Sequence, residues 1–457
     1  MIKFCHKIIL LILFITFAYH LRAQSEYSSL PLKELLKQAV ANYPILRSKV
    51  LEADAAGKGV IASQRMLVPT LDASYQANYA TYNNIIGMAS PTFLIPISGP
   101  PSSSNNYSGV FGSGASMVLN WQPVTFGQRS AQVEYSKAGH QQSVADAQNE
   151  IFQHKVRVIN AYLDALVSNE LVKVYEQNYI RTETNLKTIR SLVVSGIKPG
   201  VDSAMYRAEI SRARIDLLNS QKFKQQALIT LSQFLASEKT ISVNDSSYFT
   251  RIPSVALAGD SVRHPLLTLF DSNLDLTKAK LKMLNRTMLP TLGLWGTTYA
   301  RGSGISYNGV VNSAEGLSFQ RYNYGIGVQL SFPILQSVRI NPVLQQQQLL
   351  IKSNQEKLND VSLQLKKELE RADVTLNNAL ATAKENPVLV ASSDFSYKAM
   401  VSRYQSGLVN YADLIQAQYL LIKAESENKT AFINAWKALL LKAAVKGDLN
   451  LFLNQVN

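Results

Sequence analysis

From Leu71 to Tyr82 apolar and polar side chains alternate, with Leu71, Ala73, Tyr75, Ala77 and Tyr79 on one face of an extended chain and Asp72, Ser74, Gln76 and Asn78 on the other. Tyr107 to Gln122 repeats the pattern: Phe111, Ala115, Met117, Leu119 and Trp121 oppose Ser108, Gly112, Gly114, Ser116 and Asn120. Two further strands are predicted at 291–300 and 321–332, the last with Tyr322, Tyr324, Ile326, Val328 and Leu330 facing away from Asn323, Gly325, Gly327, Gln329 and Ser331. Asn83 to Asn106 and Arg301 to Gln320, rich in small and polar residues, read as the connecting loops.

The period then changes. Phe152, Val156, Ile159, Leu163 and Leu166 recur at spacings of three and four inside a proline-free run at about 124–194, and Leu358, Val361, Leu365, Leu369, Ala372, Leu376, Leu380 and Ala383 do so at about 334–404. Such seams predict helices of roughly 70 residues, about 105 Å each at about 1.5 Å per residue. Pro387 is expected to interrupt the second one near Lys384. Each long helix leads into a short turn, 195–202 and 406–413, where Ser-Gly lets the backbone leave the helix and Asp202 or Asp413 is placed to cap the helix that returns.

The same punctuation occurs twice. Tyr43-Pro44-Ile45-Leu46 through Leu67-Val68-Pro69-Thr70-Leu71 is answered, about 221 residues on, by His264-Pro265-Leu266-Leu267 through Leu289-Pro290-Thr291-Leu292. Ser195-Gly196 with Asp202 is answered by Ser406-Gly407 with Asp413, so the chain reads as a duplication of one helix–strand–strand–long helix–turn–return helix unit, the repeats covering 24–260 and 261–457.

Lys3 and Lys7 ahead of an apolar run from Ile8 to Ala18, with Leu21-Arg22-Ala23 before Gln24, make 1–23 a secretory signal peptide. The one cysteine, Cys5, lies inside it, so disulfides and thiolate chemistry are not expected. The formal net charge of +14 falls to about +11 once Lys3, Lys7 and Arg22 are removed. Its Lys and Arg are scattered among acidic residues along the helices, which suits a solvated surface and gives no basis for a nucleic-acid partner.

No enzyme is read from the sequence. His140 and His154 lie fourteen residues apart on one helix, about 21 Å along its axis, too far to share a metal. Gly302-Ser303-Gly304 follows a strand but opens no helix, and is read as flexible loop. Trp121, Trp295 and Trp436 are read as packing or interface residues. No cofactor or metal site is expected.

Strands of roughly 10–12 residues with a polar second face fit transmembrane staves, which need about 9–11 residues, and fit equally an antiparallel sheet packed on helices. If they are staves, four cannot close a barrel, since open edges are not tolerated in lipid, and the protein must be an oligomer.

The segment Arg403-Tyr404-Gln405-Ser406-Gly407 through Asp413-Leu414-Ile415-Gln416-Ala417-Gln418-Tyr419-Leu420-Leu421 resembles the periplasmic tip of TolC-like outer-membrane efflux proteins, and the order of elements extends the resemblance over both repeats. The resemblance implies a mixed α and β fold: a homotrimer whose four strands per chain build a twelve-stranded outer-membrane barrel continuous with a periplasmic helical barrel. It implies a passive exit duct for efflux or type I secretion, working with a periplasmic adaptor (membrane fusion) protein and an inner-membrane pump, in contact with outer-membrane lipid. The implied adaptor contacts are Gly196, Ile197, Gly407, Leu408 and Val409, and the implied constriction residues Asp202, Tyr404, Asp413 and Gln416. The chain departs from the best-known pattern at Gln416, where a second acidic residue often stands, and at Val409, where a basic locking residue can stand, so a strongly acidic entrance is not implied. A periplasmic coiled-coil scaffold and a receptor-like outer-membrane protein are the alternatives.

Overall fold

The computed structural model describes residues 31–81, 104–105, 107–196, 199–238, 241–254, 263–306 and 310–456; the signal peptide, Ile197 and nearly all of the expected 83–106 loop lie outside them. In chain order the elements are α1 (Leu32–Asn42), α2 (Pro44–Arg65), β1 (Thr70–Ala80), β2 (Val110–Val124), α3 (Gln128–Val194), α4 (Gly200–Phe234), α5 (Pro265–Arg286), β3 (Thr291–Ser303), β4 (Arg321–Ser331), α6 (Gln336–Gln405), α7 (Tyr411–Lys446) and α8 (Asn450–Leu453). Two compact units emerge, and each draws on both sequence repeats: a helical one from 1–53, 143–272 and 355–457, and a sheet-bearing one from 54–142 and 273–354.

The helical unit is organised by α7. Its buried positions fall at helical spacing in two stretches, Leu414, Ala417, Leu421 and Ala424 in the first and Phe432, Trp436 and Leu439 in the second. Around the second stretch pack Leu35 and Ala39 of α1, Ile159, Leu163 and Leu166 of α3, Leu231 of α4 and Leu376 of α6. The segment 241–254 and the C-terminal tail close over it: Trp436 donates its indole N–H to the Tyr248 carbonyl at 3.1 Å and stacks edge-on against Tyr248 and Phe452, and Gln455 bonds both backbone groups of Ser254.

A ladder of polar contacts fixes how α3 and α7 pair. Asp164 meets Lys437, Glu170 accepts from Lys429 at 2.8 Å, Arg181 reaches Glu425 at 2.5 Å, and Gln418 donates to Asn178 at 3.1 Å and Thr182 at 2.7 Å. The numbers climb along α3 as they fall along α7, so the pairing is antiparallel. Buried Gln418, Asn178 and Thr182 work as polar residues do in a coiled-coil seam, because any slip in register would leave them unbonded.

The four strands form one antiparallel sheet in the order β1-β2-β3-β4. Register aligns the apolar sides: Tyr75 opposite Ala115, Leu119 opposite Gly296, and Thr298 opposite Tyr324. Away from its loop end that face is largely uncovered, with Tyr324 87% and Ile326 84% exposed and Tyr75, Tyr79, Leu71 and Val328 also exposed. The other face carries Ser74 bonded to Ser116 at 2.7 Å, and seats Trp295 over Gly325 and Gly327; a Cβ at Gly327 would lie 2.5 Å from the indole. Among the described residues no helix is long and apolar enough to cross a membrane.

Three expectations are corrected. The second strand begins at Val110 and runs on through Pro123 to Val124, because a bulge between Trp121 and Val124 absorbs the proline, and α3 starts only at Gln128. α6 stays helical through Pro342 and Pro387: an interior proline removes its backbone donor and crowds the carbonyl four residues back, at a cost of about 3 kcal/mol, and Leu376, Leu380, Ala383 and Tyr397, all buried, hold the helix on both sides of Pro387. Gly302 and Ser303 belong to β3 rather than to a flexible loop; Gly302 is buried, and a Cβ there would come within 2.0 Å of the Ser318 carbonyl, so it is glycine for close backbone approach.

Candidate functional site at the helical turns

Both turns end their helices by the same device. Gly196 (φ 70°) and Gly407 (φ 77°) adopt the left-handed conformation in which a side chain is strained, and in each case a Cβ would meet nothing within 4 Å. At the second turn the Leu408 N–H donates to the Arg403 carbonyl at 2.9 Å and the Gly407 N–H to the Tyr404 carbonyl at 3.1 Å, which satisfies the last carbonyls of α6. Leu408 is left 70% exposed, an apolar knob at the apex. Val409 is different: it is half-buried against the aromatic cluster behind the turn.

That cluster gathers side chains from all four helices that meet here. Leu186 and Ile189 of α3, Tyr206 of α4, Tyr397 and Tyr404 of α6, and Leu414 and Leu421 of α7 are buried together, with Val193, Ile210, Met400 and Tyr411 at its margin. Tyr206 and Tyr411 meet edge to face at 4.9 Å, and Asn185 of α3 donates to the Tyr397 hydroxyl at 2.8 Å.

Tyr404 is 2% exposed, and its hydroxyl donates to the Asp202 carboxylate at 2.6 Å, joining the last turn of α6 to the first turn of α4. Asp202 also benefits from the positive end of α4. Burial above all, and then the bond to Asp202, pushes the Tyr404 hydroxyl well above the usual phenol range; burial does the same for Tyr206 and Tyr411. All three hydroxyls stay protonated near neutral pH; those of Tyr206 and Tyr411 are buried with no hydrogen-bond partner among the described residues.

Asp413 stands in a capping box: the Asn410 side chain accepts the Asp413 N–H at 3.0 Å, and the Asp413 carboxylate accepts the Asn410 N–H at 3.3 Å. Asp413 and Gln416 are both exposed on α7, away from the Tyr404–Asp202 pair. The structure therefore brings together two of the four expected constriction residues, Tyr404 and Asp202, and leaves Asp413 and Gln416 on the surface. The sequence alone did not single out Tyr206, Tyr411 and Tyr397; their closeness to the turns, Tyr206 four residues after the first, Tyr411 within the second and Tyr397 nine residues before it, was the available signal. Among the described residues no group of acidic or histidine side chains is arranged to hold a metal.

Residues 35–237 match the family described as outer membrane efflux protein. No curated protein sequence matches the chain at a significant level. Among solved structures, the fold is similar to the outer-membrane channel OprN, with 15% identity, a TM-score of 0.74 and 93% of each chain covered. It is also similar to a membrane protein from Pseudomonas aeruginosa, at 17% identity and a TM-score of 0.74 over 93% of this chain and 92% of the other. The CmeC outer-membrane channel of Campylobacter jejuni shares 14% identity at a TM-score of 0.72, over 91% of this chain and 85% of that one. The outer membrane efflux protein pattern thus spans most of the first repeat, and across nearly the whole chain the fold is similar to that of solved outer-membrane channels.

Proposed function

We propose that three copies of this chain form a passive exit duct, with a twelve-stranded barrel in the outer membrane and a helical passage in the periplasm. The observation that carries this reading is the sheet: β1 and β4 are its edge strands, each paired with one other strand only among the described residues, and most large side chains of the apolar face are exposed. In lipid an open edge costs several kcal/mol per unpaired group, so β4 of one copy must meet β1 of the next, and three copies close the ring. β1 and β4 are 11 residues long, enough for the apolar layer.

On this reading the exposed turns around Gly196, Gly407 and Leu408 dock a periplasmic adaptor, with Ile197 between them in sequence and Val409 supporting the second turn from behind. Tyr404 and Asp202 hold the periplasmic entrance narrow, with Asp413 and Gln416 lining its approach. An inner-membrane pump supplies the energy, in a tripartite efflux or type I secretion assembly. The test is a pair of measurements on detergent-purified protein: its mass by light scattering, expected at three chains, and its conductance in planar bilayers. A monomer that stays soluble without detergent and carries no current would overturn the proposal.

A further inference from the structure

The sheet and its connections are almost free of charge. Residues 70–124 and 291–332 contain Asp72, Arg301, Glu315 and Arg321 and no other Asp, Glu, Lys or Arg. Two of these four are placed as direct cross-strand partners: Arg301 of β3 faces Arg321 of β4, at the end of the sheet where β3 leads into the loop to β4. Like charges directly opposite one another destabilise a sheet, so the pair runs against folding stability and invites a functional account.

The register puts both arginines on the polar face. Their row reads Gln76, Gly114, Arg301, Arg321, next to the row Ser74, Ser116, Tyr299, Asn323. Gly114 puts no side chain of its own beside Arg301, and the neutral Gln76 side chain lies 3.7 Å from where its Cβ would stand. Arg321 is exposed and Arg301 half-buried, and neither forms an ion pair among the described residues; the Arg321 guanidinium donates only to the Gln320 carbonyl, at 3.1 Å.

The two carboxylates of the region stand elsewhere. Asp72 shares its row with Val118, Thr297 and Gly325, four residues back along β3 from Arg301, or about 13 Å, which exceeds the roughly 8 Å screening length at physiological salt. Glu315 lies in the 3-10 turn Ser313–Leu317, which is held on the apolar side of the sheet: Ser113 donates to the Gly316 carbonyl at 2.7 Å, and Phe319 just beyond the turn packs on Tyr75. Its carboxylate accepts from Asn312 at 2.7 Å. The loop end of the polar face thus carries positive charge alone.

We propose that Arg301 and Arg321 make an anion-attracting collar at the outer mouth of the duct, selecting cargo that bears carboxylate, phosphate or sulfate groups. This rests on the trimeric duct reading, in which the polar face lines the bore and two arginines from each of three copies put six guanidinium groups around one opening. Guanidinium forks match such oxyanions bidentately.

The test is reversal potential in planar bilayers under a tenfold KCl gradient, for the wild-type trimer, for R301Q and R321Q singly and together, and for R301K/R321K. The double glutamine variant is expected to conduct and to remain trimeric, since it relieves a like-charge contact, while its chloride-over-potassium permeability ratio falls about threefold or more, the change that about one kT of local potential produces. The lysine variant is expected to keep the wild-type ratio. An unchanged ratio in conducting R301Q/R321Q trimers would overturn the collar and leave the duct standing; wild-type protein that carries no current would overturn the duct, and the collar with it.

Discussion

Replacing Tyr404 by Phe removes one hydroxyl and keeps the ring in its cluster of Leu186, Ile189, Tyr206 and Leu414. The bond removed is charge-assisted, 2.6 Å from phenol oxygen to the Asp202 carboxylate. Hydrogen bonds to charged groups contribute about 1.5–3 kcal/mol. Asp202 is only half-buried and regains a water partner, so the low end applies, about 1.5 kcal/mol. If the bond holds α6 against α4 only in the narrow state of the entrance, its loss shifts each copy toward the wide state roughly tenfold. The assay is single-channel recording of purified trimers, with longer wide-state dwell times expected for Tyr404→Phe. Asp202→Ala, which leaves no acceptor, should reproduce the effect, and the double variant should add little to either single one, because both remove the same bond. Dwell times and conductance equal to wild type, in trimers of unchanged melting temperature, would refute the latch and leave the contact as packing alone.

Gly407→Trp should abolish export while trimers still assemble, since the apex has open space around it but no room for an indole in a docked surface; Gly407→Ala, with the same left-handed strain and no bulk, should still export, and normal export by the Trp variant would remove the apex from the docking surface. Asp413→Ala should raise single-channel conductance and fray the first turn of α7, costing about 1 kcal/mol through the broken capping box; unchanged conductance together with unchanged helix protection in hydrogen exchange would count against both roles. His154 and His264 are each held below the usual histidine range by burial, so both favour the neutral form in the folded protein. A depressed native value means stability that is complete above about pH 6.5 and is lost as pH falls through the lowered native values. The melting midpoint should therefore drop between pH 7 and pH 5. His264 accepts the Leu266 N–H at 3.0 Å through Nδ1, and protonation removes that acceptor. His264→Asn keeps a capping oxygen without titrating and should flatten the drop; an identical pH profile would sink this assignment.

Much of the architecture was legible in the order of residues, because it rests on local periodicity. Alternation through Leu71–Tyr79 and Tyr322–Leu330 requires a pleated strand, the three-and-four spacing through Ile159–Leu166 and Leu376–Ala383 requires a helix, and Ser-Gly before Asp at both turns marks an exit and a cap. Each signal is complete within a few residues, so no distant partner is needed to read it. What the tertiary structure alone decided is which distant residues meet. Tyr404 and Asp202 are 202 positions apart, and Arg301 faces Arg321 only because β3 and β4 pair in one of several registers that alternation alone permits. The same holds where a local rule was overridden: Gly302 looked like loose loop until the Ser318 carbonyl was placed against it, and Pro387 looked like a break until packing on both sides held the helix. Propensity acts along the chain, within a turn or a pleat. Packing, register and the pairing of charges act across it, and only the folded chain sets those distances.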